Sequence, residues 1–268
     1  MKIKTLAWST FGSFLHNRLI FVLLIICVGV VLIMLTPLLG IKAMASAQGA
    51  TQTQMMVLQL VAAIMGFVSG FGSLLAAWAA ADSVGSEIAS GTILAVMARP
   101  VRRWEFLVGK FCGVMLLMAV YVLMMFGLSY LLAWIGGERI QSTRWVLLVY
   151  PMVRYAIYAA IGVALVPVFR PIATMGFVAL LALGADLASS PNFGQRWEMV
   201  RQLMHALYWI LPSTNLLSET RFLELTQASL KQAGWAEHLT TIAYGLDYAL
   251  VCLVLAMWSF HYRSLKRD

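Results

Sequence analysis

The chain has 268 residues, of which 62% are hydrophobic and only 11% are charged, and its mean hydropathy is +0.86. A soluble domain is nearer half apolar and a quarter charged, so this composition excludes a water-soluble protein and indicates an integral membrane protein. The formal net charge is +8. Because the basic residues are not interleaved with aromatic ones in a patch, the charge does not indicate a nucleic-acid partner.

The first 18 residues form a separate element ahead of the apolar runs. Trp8, Phe11, Phe14 and Leu15 share one face of a helical projection, and polar residues occupy the remainder. This pattern predicts an amphipathic helix over 1–18 that lies in the headgroup plane, in contact with membrane lipid.

Six apolar runs of 17 to 30 residues follow, and a membrane-spanning helix needs roughly 20. They cover residues 19–39, 55–80, 106–135, 145–169, 172–188 and 240–261. The sequence therefore predicts an all-α polytopic membrane protein with six transmembrane helices. Most of the 19 Lys and Arg residues fall at span ends that share one side of this topology. That bias predicts that both termini are cytoplasmic.

A polar segment, 189–239, separates the fifth and sixth predicted spans. It opens with SSPNFG, a turn-forming cluster, and continues with two stretches of helical periodicity. We expect short helices on the outer side before the last span. Such helices would form a gate, dock an extracytoplasmic partner, or serve only as a structural lid.

A second polar segment, 82–104, interrupts the apolar runs between the second and third predicted spans. A helical pattern starts at Glu87, continues to Ala98 and stops before Pro100. The apolar ridge of this pattern consists of Ile93, Leu94, Met97 and Val101. The basic residues of the segment are Arg99, Arg102 and Arg103. A short helix at the cytoplasmic mouth of two spans has the shape needed to receive a soluble partner, whereas an ordinary positively charged loop is the plainer alternative.

The residues of this segment resemble the signature of ABC-2-type transporter permeases. The matching positions are Glu87-x-x-x-Gly91-Thr92, Leu94, Arg99-Pro100-Val101, Arg103, Phe106-Leu107 and Gly109-Lys110. The resemblance implies a single permease domain over 1–268, with its cytoplasmic coupling helix in 82–104. Within the family the chain is similar to single-domain permeases such as that of the nitrous-oxide reductase copper-processing system.

This resemblance also implies partners and a site. Two copies of an ABC ATPase subunit would grip the coupling helices of two permease copies, a homodimer or a pair with a relative. The ATPases would bind ATP and Mg, and the permease chain would hold no cofactor. The residues implied in ATPase coupling are Glu87, Gly91, Thr92, Leu94, Met97, Arg99, Pro100 and Arg103. The complex would be an exporter in the bacterial cytoplasmic (inner) membrane.

The chain carries no phosphate-binding loop of its own. Around Gly109-Lys110, Trp104 stands where the first glycine of G-x-x-x-x-G-K-[ST] belongs, and Phe111 follows the lysine. No H-E-x-x-H motif is present either, and the four histidines are scattered. We therefore expect no catalytic residue and no metal site. The alternative function is a non-transporting, ATP-driven membrane scaffold that acts on an outer-side partner protein.

Arg154, Asp186 and Asp247 are ionisable residues that fall inside the predicted spans. Each costs a few kcal/mol at the bilayer centre on insertion scales, so such side chains usually face the bundle interior or water. The open interpretations are an ion pair, a polar substrate path or gate, and side chains that reach to the interface. The sequence gives no indication of the transported substrate.

Overall fold

The computed structural model describes residues 2–33, 36, 40, 50–91, 102–136, 146–166, 169–188, 217 and 235–262. Seven helices lie in these ranges: α1 (Lys2–Leu15), α2 (Arg18–Ile33), α3 (Ala50–Ala89), α4 (Arg103–Gly136), α5 (Val146–Leu165), α6 (Pro171–Ala188) and α7 (Trp235–Tyr262). The described part of the chain contains no strand, so the prediction of an all-α protein is confirmed for these residues.

Four of these helices contain stretches long and apolar enough to cross a membrane. The stretches are Gly66–Ala89 in α3, Arg103–Met125 in α4, Leu148–Leu165 in α5 and His238–Phe260 in α7. They overlap the second, third, fourth and sixth predicted spans, although the first of them begins and ends about ten residues later than the predicted 55–80. Helix α2 has 16 residues, and the apolar stretch found in α6 is the shorter Pro171–Ala182. The first and fifth spans therefore stay predictions.

Helices α3 and α5 form the centre of the bundle, and small residues set their separation. A Cβ placed on Gly162 of α5 would lie 2.5 Å from the main-chain oxygen of Ala77 in α3. Ala77 is fully buried, as are Ala159 and Ala160 on α5. In hydrocarbon, close backbone approach replaces the hydrophobic effect as a source of helix association, which explains the small residues at this crossing.

Helix α1 packs along the first half of α4 through a glycine-lined groove. A Cβ on Gly109 would lie 2.8 Å from Leu6 Cβ, and a Cβ on Gly113 would lie 2.8 Å from the main-chain oxygen of Ala7. Trp8, by contrast, is 69% exposed, and Leu15 is exposed as well. The apolar arc predicted for α1 is therefore divided between contact with α4 and an outward-facing stripe.

Helix α7 lies against α5 and presents much of its other side outward. A Cβ on Gly245 would lie 2.3 Å from Val153 Cγ1, so the two helices are in close contact. At the same ends of these helices, a 2.8 Å hydrogen bond joins Tyr150 Oη to His238 Nδ1. Leu217, the one described residue of 189–234, is buried in the same cluster. The rest of the predicted outer helical segment lies outside the described residues up to Trp235.

The predicted start of a separate helix at Glu87 is wrong. Helix α3 continues without interruption to Ala89, so the first part of segment 82–104 belongs to it. The Ser83 and Ser86 hydroxyls donate to the main-chain oxygens of Ala80 and Asp82, at 2.8 and 2.6 Å. They therefore bond back into the helix that contains them instead of capping a new one.

A candidate coupling site where α3 ends and α4 begins

One end of the bundle brings together the end of α3 and the start of α4, and we call it the joint end. There the Nζ of Lys110, in α4, donates to Oε1 of Glu87, in the last turn of α3, and the two form an ion pair. The Lys110 side chain is 8% exposed and that of Glu87 is 24% exposed. An ion pair so shielded from water is screened far less than a surface pair, so it holds the two helices in register.

The surroundings of Lys110 strengthen this link. Its Nζ lies 5.7 Å from the ring centroid of Phe106, one turn earlier on α4, and Phe106 is fully buried. The ammonium therefore interacts with the face of an aromatic ring as well as with a carboxylate. Lys110 therefore has a carboxylate partner on α3 and an aromatic partner on its own helix.

Helix α4 starts with a local cap that fixes its first turn. The Arg102 main-chain N–H donates to Glu105 Oε2 at 2.9 Å, which is the reciprocal half of a capping box. Arg103, the first residue of the helix, donates from Nη1 to the main-chain oxygen of Phe260 at 3.1 Å. Because the last carbonyls of a helix carry partial negative charge, a guanidinium is favourable there. Arg103 thus connects α4 to the end of α7.

Helix α3 ends at a glycine in a left-handed conformation. Gly91 has φ of 71°, and its N–H donates to the main-chain oxygen of Ile88 at 3.3 Å. The Ser90 N–H donates to the main-chain oxygen of Ser86 at 2.9 Å. A left-handed glycine after the last helical turn is a common helix stop, because other residues suffer a Cβ clash there. Ser90 and Gly91 are exposed, so α3 ends at the surface of the described bundle.

Of the residues predicted to couple to the ATPase, the structure brings Glu87, Gly91 and Arg103 to the joint end. Thr92, Leu94, Met97, Arg99 and Pro100 lie outside the described residues, and their role stays a prediction. Glu87 and Arg103 both make contacts within the bundle, Glu87 with Lys110 of α4 and Arg103 with the main chain of α7. Their role in ATPase coupling stays a prediction.

The structure does not pair Arg154 with Asp247, and the side chain of Asp186 lies outside the described part of the chain. Arg154 on α5 is 8% exposed, and its Nη1 donates to Ser69 Oγ on α3 at 3.2 Å. Asp247 lies on the exposed side of α7, and none of the described carboxylates is within 4.0 Å of the Arg154 guanidinium. Asp186 belongs to the last turn of α6. Its pairing with Arg154 stays a prediction.

Sequence reasoning missed the role of Lys110 and the contact to Phe260. The family resemblance includes Lys110 but predicts no contact for it. Lys110 is the eighth residue of the membrane-length stretch Arg103–Met125, and a charged lysine within such a stretch costs free energy unless it is paired. That cost is the sequence signal for a partner. Nothing in the sequence indicates the main-chain contact at Phe260, since any residue supplies a carbonyl.

Comparison with known proteins identifies a family. The family model described as ABC-2 family transporter protein matches residues 4–265, which is almost the whole chain. No curated protein matches the chain significantly. The match includes every helix of the bundle and both sides of the joint end.

Proposed function

Because the chain belongs to the ABC-2 family of transporter membrane proteins, we propose that it is the membrane subunit of an ATP-driven exporter whose motor contacts the joint end. Members of this family are multi-pass membrane subunits that work with an ABC ATPase and are not ATPases themselves. In our proposal two ATPase subunits bind ATP and Mg, and the segment between Gly91 and Arg102 carries the coupling helix they grip.

The observation that carries the proposal is the Glu87–Lys110 ion pair. A push on the segment that follows Gly91 reaches α3 through the helix end and reaches α4 through its capped first turn. The ion pair makes these two ends move as one unit, and the Arg103 contact adds the end of α7. A displacement at one small site would therefore be shared among three of the membrane-length helices.

The rest of the architecture follows from the same proposal. Helices α2 and α6 would be the first and fifth of six spans, and the joint end, with both termini, would face the cytoplasm of a bacterial inner membrane. The exposed stripe of Trp8 and Leu15 would place α1 at the lipid headgroups. A second copy of the chain, most simply an identical one, would complete the pore, and 189–239 would lie on the outer side. The similarity to the nitrous-oxide reductase copper-processing permeases remains a proposal about the subfamily.

The test is affinity purification of the chain in mild detergent from its native membrane, followed by mass spectrometry and an ATPase assay. We expect a soluble ABC ATPase in equal amount. Glu87→Ala should leave that ATPase bound but uncouple its ATP hydrolysis from substrate transport. Recovery of the chain without an ATPase would contradict the proposal. An ATPase that copurifies with an outer-side protein, and drives no transport in proteoliposomes, would instead support the scaffold function.

A further inference from the structure

A buried arginine in the core of the bundle lacks a negative partner among the described residues. Arg154 is 8% exposed and lies about 12 Å along α5 from the start of that helix, at 1.5 Å per residue. Its hydrogen bond to Ser69 is to a neutral hydroxyl. A charge so far from water is costly, and ionisable residues within membrane spans either pair with one another or mark a substrate or ion pathway.

Two polar groups at this point have no hydrogen-bond partner in the described structure: Arg154 Nε and the Tyr158 hydroxyl. Tyr158 is fully buried, one turn along α5, with its ring centroid 6.0 Å from Arg154 Cζ. Unsatisfied buried groups are rare in native proteins and cost about 1–3 kcal/mol each. Here the two are neighbours, and both can donate a hydrogen bond.

We propose that Arg154, Ser69 and Tyr158 form a binding subsite for an oxyanion, a phosphate or carboxylate carried by the exported substrate. The site is closed in this structure and opens when α3 and α5 move apart. The Nε edge of a guanidinium matches the two oxygens of such a group, the Tyr158 hydroxyl donates a further hydrogen bond, and Ser69 holds the guanidinium in place. This inference rests on the proposed function, since transport is what would deliver the anion.

The competing explanation is an internal ion pair. Asp82, Glu87 and Glu105 lie toward the joint end, and Asp247 lies on the exposed face of α7. None of these four carboxylates forms an ion pair with Arg154. Asp186 on α6 is the remaining predicted partner within a span. The experiment must therefore separate an external anion from this aspartate.

The experiment is thermal unfolding of the full purified chain in a neutral detergent, titrated with three probes. Dioctanoyl phosphatidic acid presents the phosphate on an amphipathic molecule, inorganic phosphate presents it alone, and dioctanoylglycerol is the neutral control. We expect a saturable rise in Tm with a phosphate-bearing probe and none with dioctanoylglycerol. A rise with inorganic phosphate would indicate a free anion, and a rise with the lipid alone would indicate an amphipathic substrate. No saturable rise in the unaltered chain would overturn the proposal.

Two variants locate the effect. Arg154→Gln should abolish the rise, and Tyr158→Phe should weaken the apparent affinity by at least about tenfold, because a hydrogen bond to a charged group is lost. Tyr158→Phe removes a hydroxyl without a partner, so the ligand-free Tm should not fall. This variant keeps the test decisive if Arg154→Gln does not fold. A Tyr158→Phe chain with unchanged affinity would contradict the assignment.

Asp186→Asn resolves the competing explanation. If Asp186→Asn and Arg154→Gln lower the ligand-free Tm equally, and the double variant is no less stable than either, the arginine is internally paired and the proposal is wrong. If Asp186→Asn leaves the phosphate effect intact, the external site stands. Because no ATPase is present in these measurements, failure of the subsite and failure of the proposed function are observed separately.

Discussion

Glu87 in the last turn of α3 and Lys110 in α4 form an ion pair that joins two membrane-length helices at the end where the chain passes between them. In an ordinary loop between two spans, no such ion pair would connect the two helices. The pair converts the connection into a mechanical joint, because each helix end is held by the other as well as by the intervening segment.

Reversing the charges of this pair tests the joint. Glu87→Lys and Lys110→Glu should each lower the stability of the purified chain by about 2–4 kcal/mol, because each leaves a shielded charge facing a like charge. The double exchange should recover most of that loss, as measured by Tm in detergent. Asp247→Asn, at an exposed carboxylate, is the matched control and should change Tm little. Failure of the double exchange to recover stability would mean that the pair does not hold the helices together.

Gly91 offers a second test, of the helix stop. Gly91→Ala should impose a penalty of about 1 kcal/mol, because alanine is strained at a φ of 71°. Gly91→Asn is the control, since asparagine tolerates the left-handed region. We expect Gly91→Ala to lower the transport obtained per ATP hydrolysed in proteoliposomes while ATPase binding persists. Equal coupling in both variants would show that the left-handed stop is dispensable.

The Arg103 side chain should protect the main-chain amides at the end of α7 from hydrogen–deuterium exchange. Its guanidinium donates to the Phe260 carbonyl, so Arg103→Ala removes a charged hydrogen bond worth about 1.5–3 kcal/mol before solvent screening. Hydrogen–deuterium exchange of the last turn of α7 should become faster by about tenfold. Arg102→Ala, one residue earlier and exposed, serves as the control. The same exchange rate in both variants would count against a link between α4 and α7.

The docking of α1 depends on Gly113. An alanine there would bring its Cβ to 2.6 Å from Thr10 Cβ and 2.8 Å from the main-chain oxygen of Ala7, so α1 must move away. We expect Gly113→Ala to speed limited proteolysis of the N-terminal segment. Gly127→Ala, on the same helix with no atom within 4 Å of the added Cβ, should not. If both variants are cleaved at the unaltered rate, α1 is not held by this groove.

Hydrophobic length and periodicity were sufficient to predict α1 and the four membrane-length helices, because those properties are local. The predicted helix start at Glu87 is wrong because Ser83, Gly85 and Ser86, residue types that usually favour a helix end, lie within α3. In the bundle the serines bond back into α3, and Gly85 admits Pro171 of α6, whose Cγ would lie 3.1 Å from an added Cβ. That use of small residues depends on a neighbouring helix and is invisible in a single sequence.

The candidate site was predictable only in part, for the same reason. Glu87 and Arg103 were identified from a resemblance to a family motif, which predicts importance but not contacts. Their partners, Lys110 and the Phe260 carbonyl, are 23 and 157 residues away along the chain. Only the packing of α3, α4 and α7 brings them together.

The most direct test of the central claim is photo-cross-linking from the exposed end of α3. A photoreactive amino acid at Ser90, beside the helix stop, is compared with the same amino acid at Met124, which is exposed farther along α4. Our account predicts that Ser90 captures an ABC ATPase in native membranes, that its yield changes when ATP is trapped, and that Met124 captures none. Cross-linking of an ATPase to Met124 and not to Ser90 would contradict the assignment of the joint end as the contact site of the ATPase.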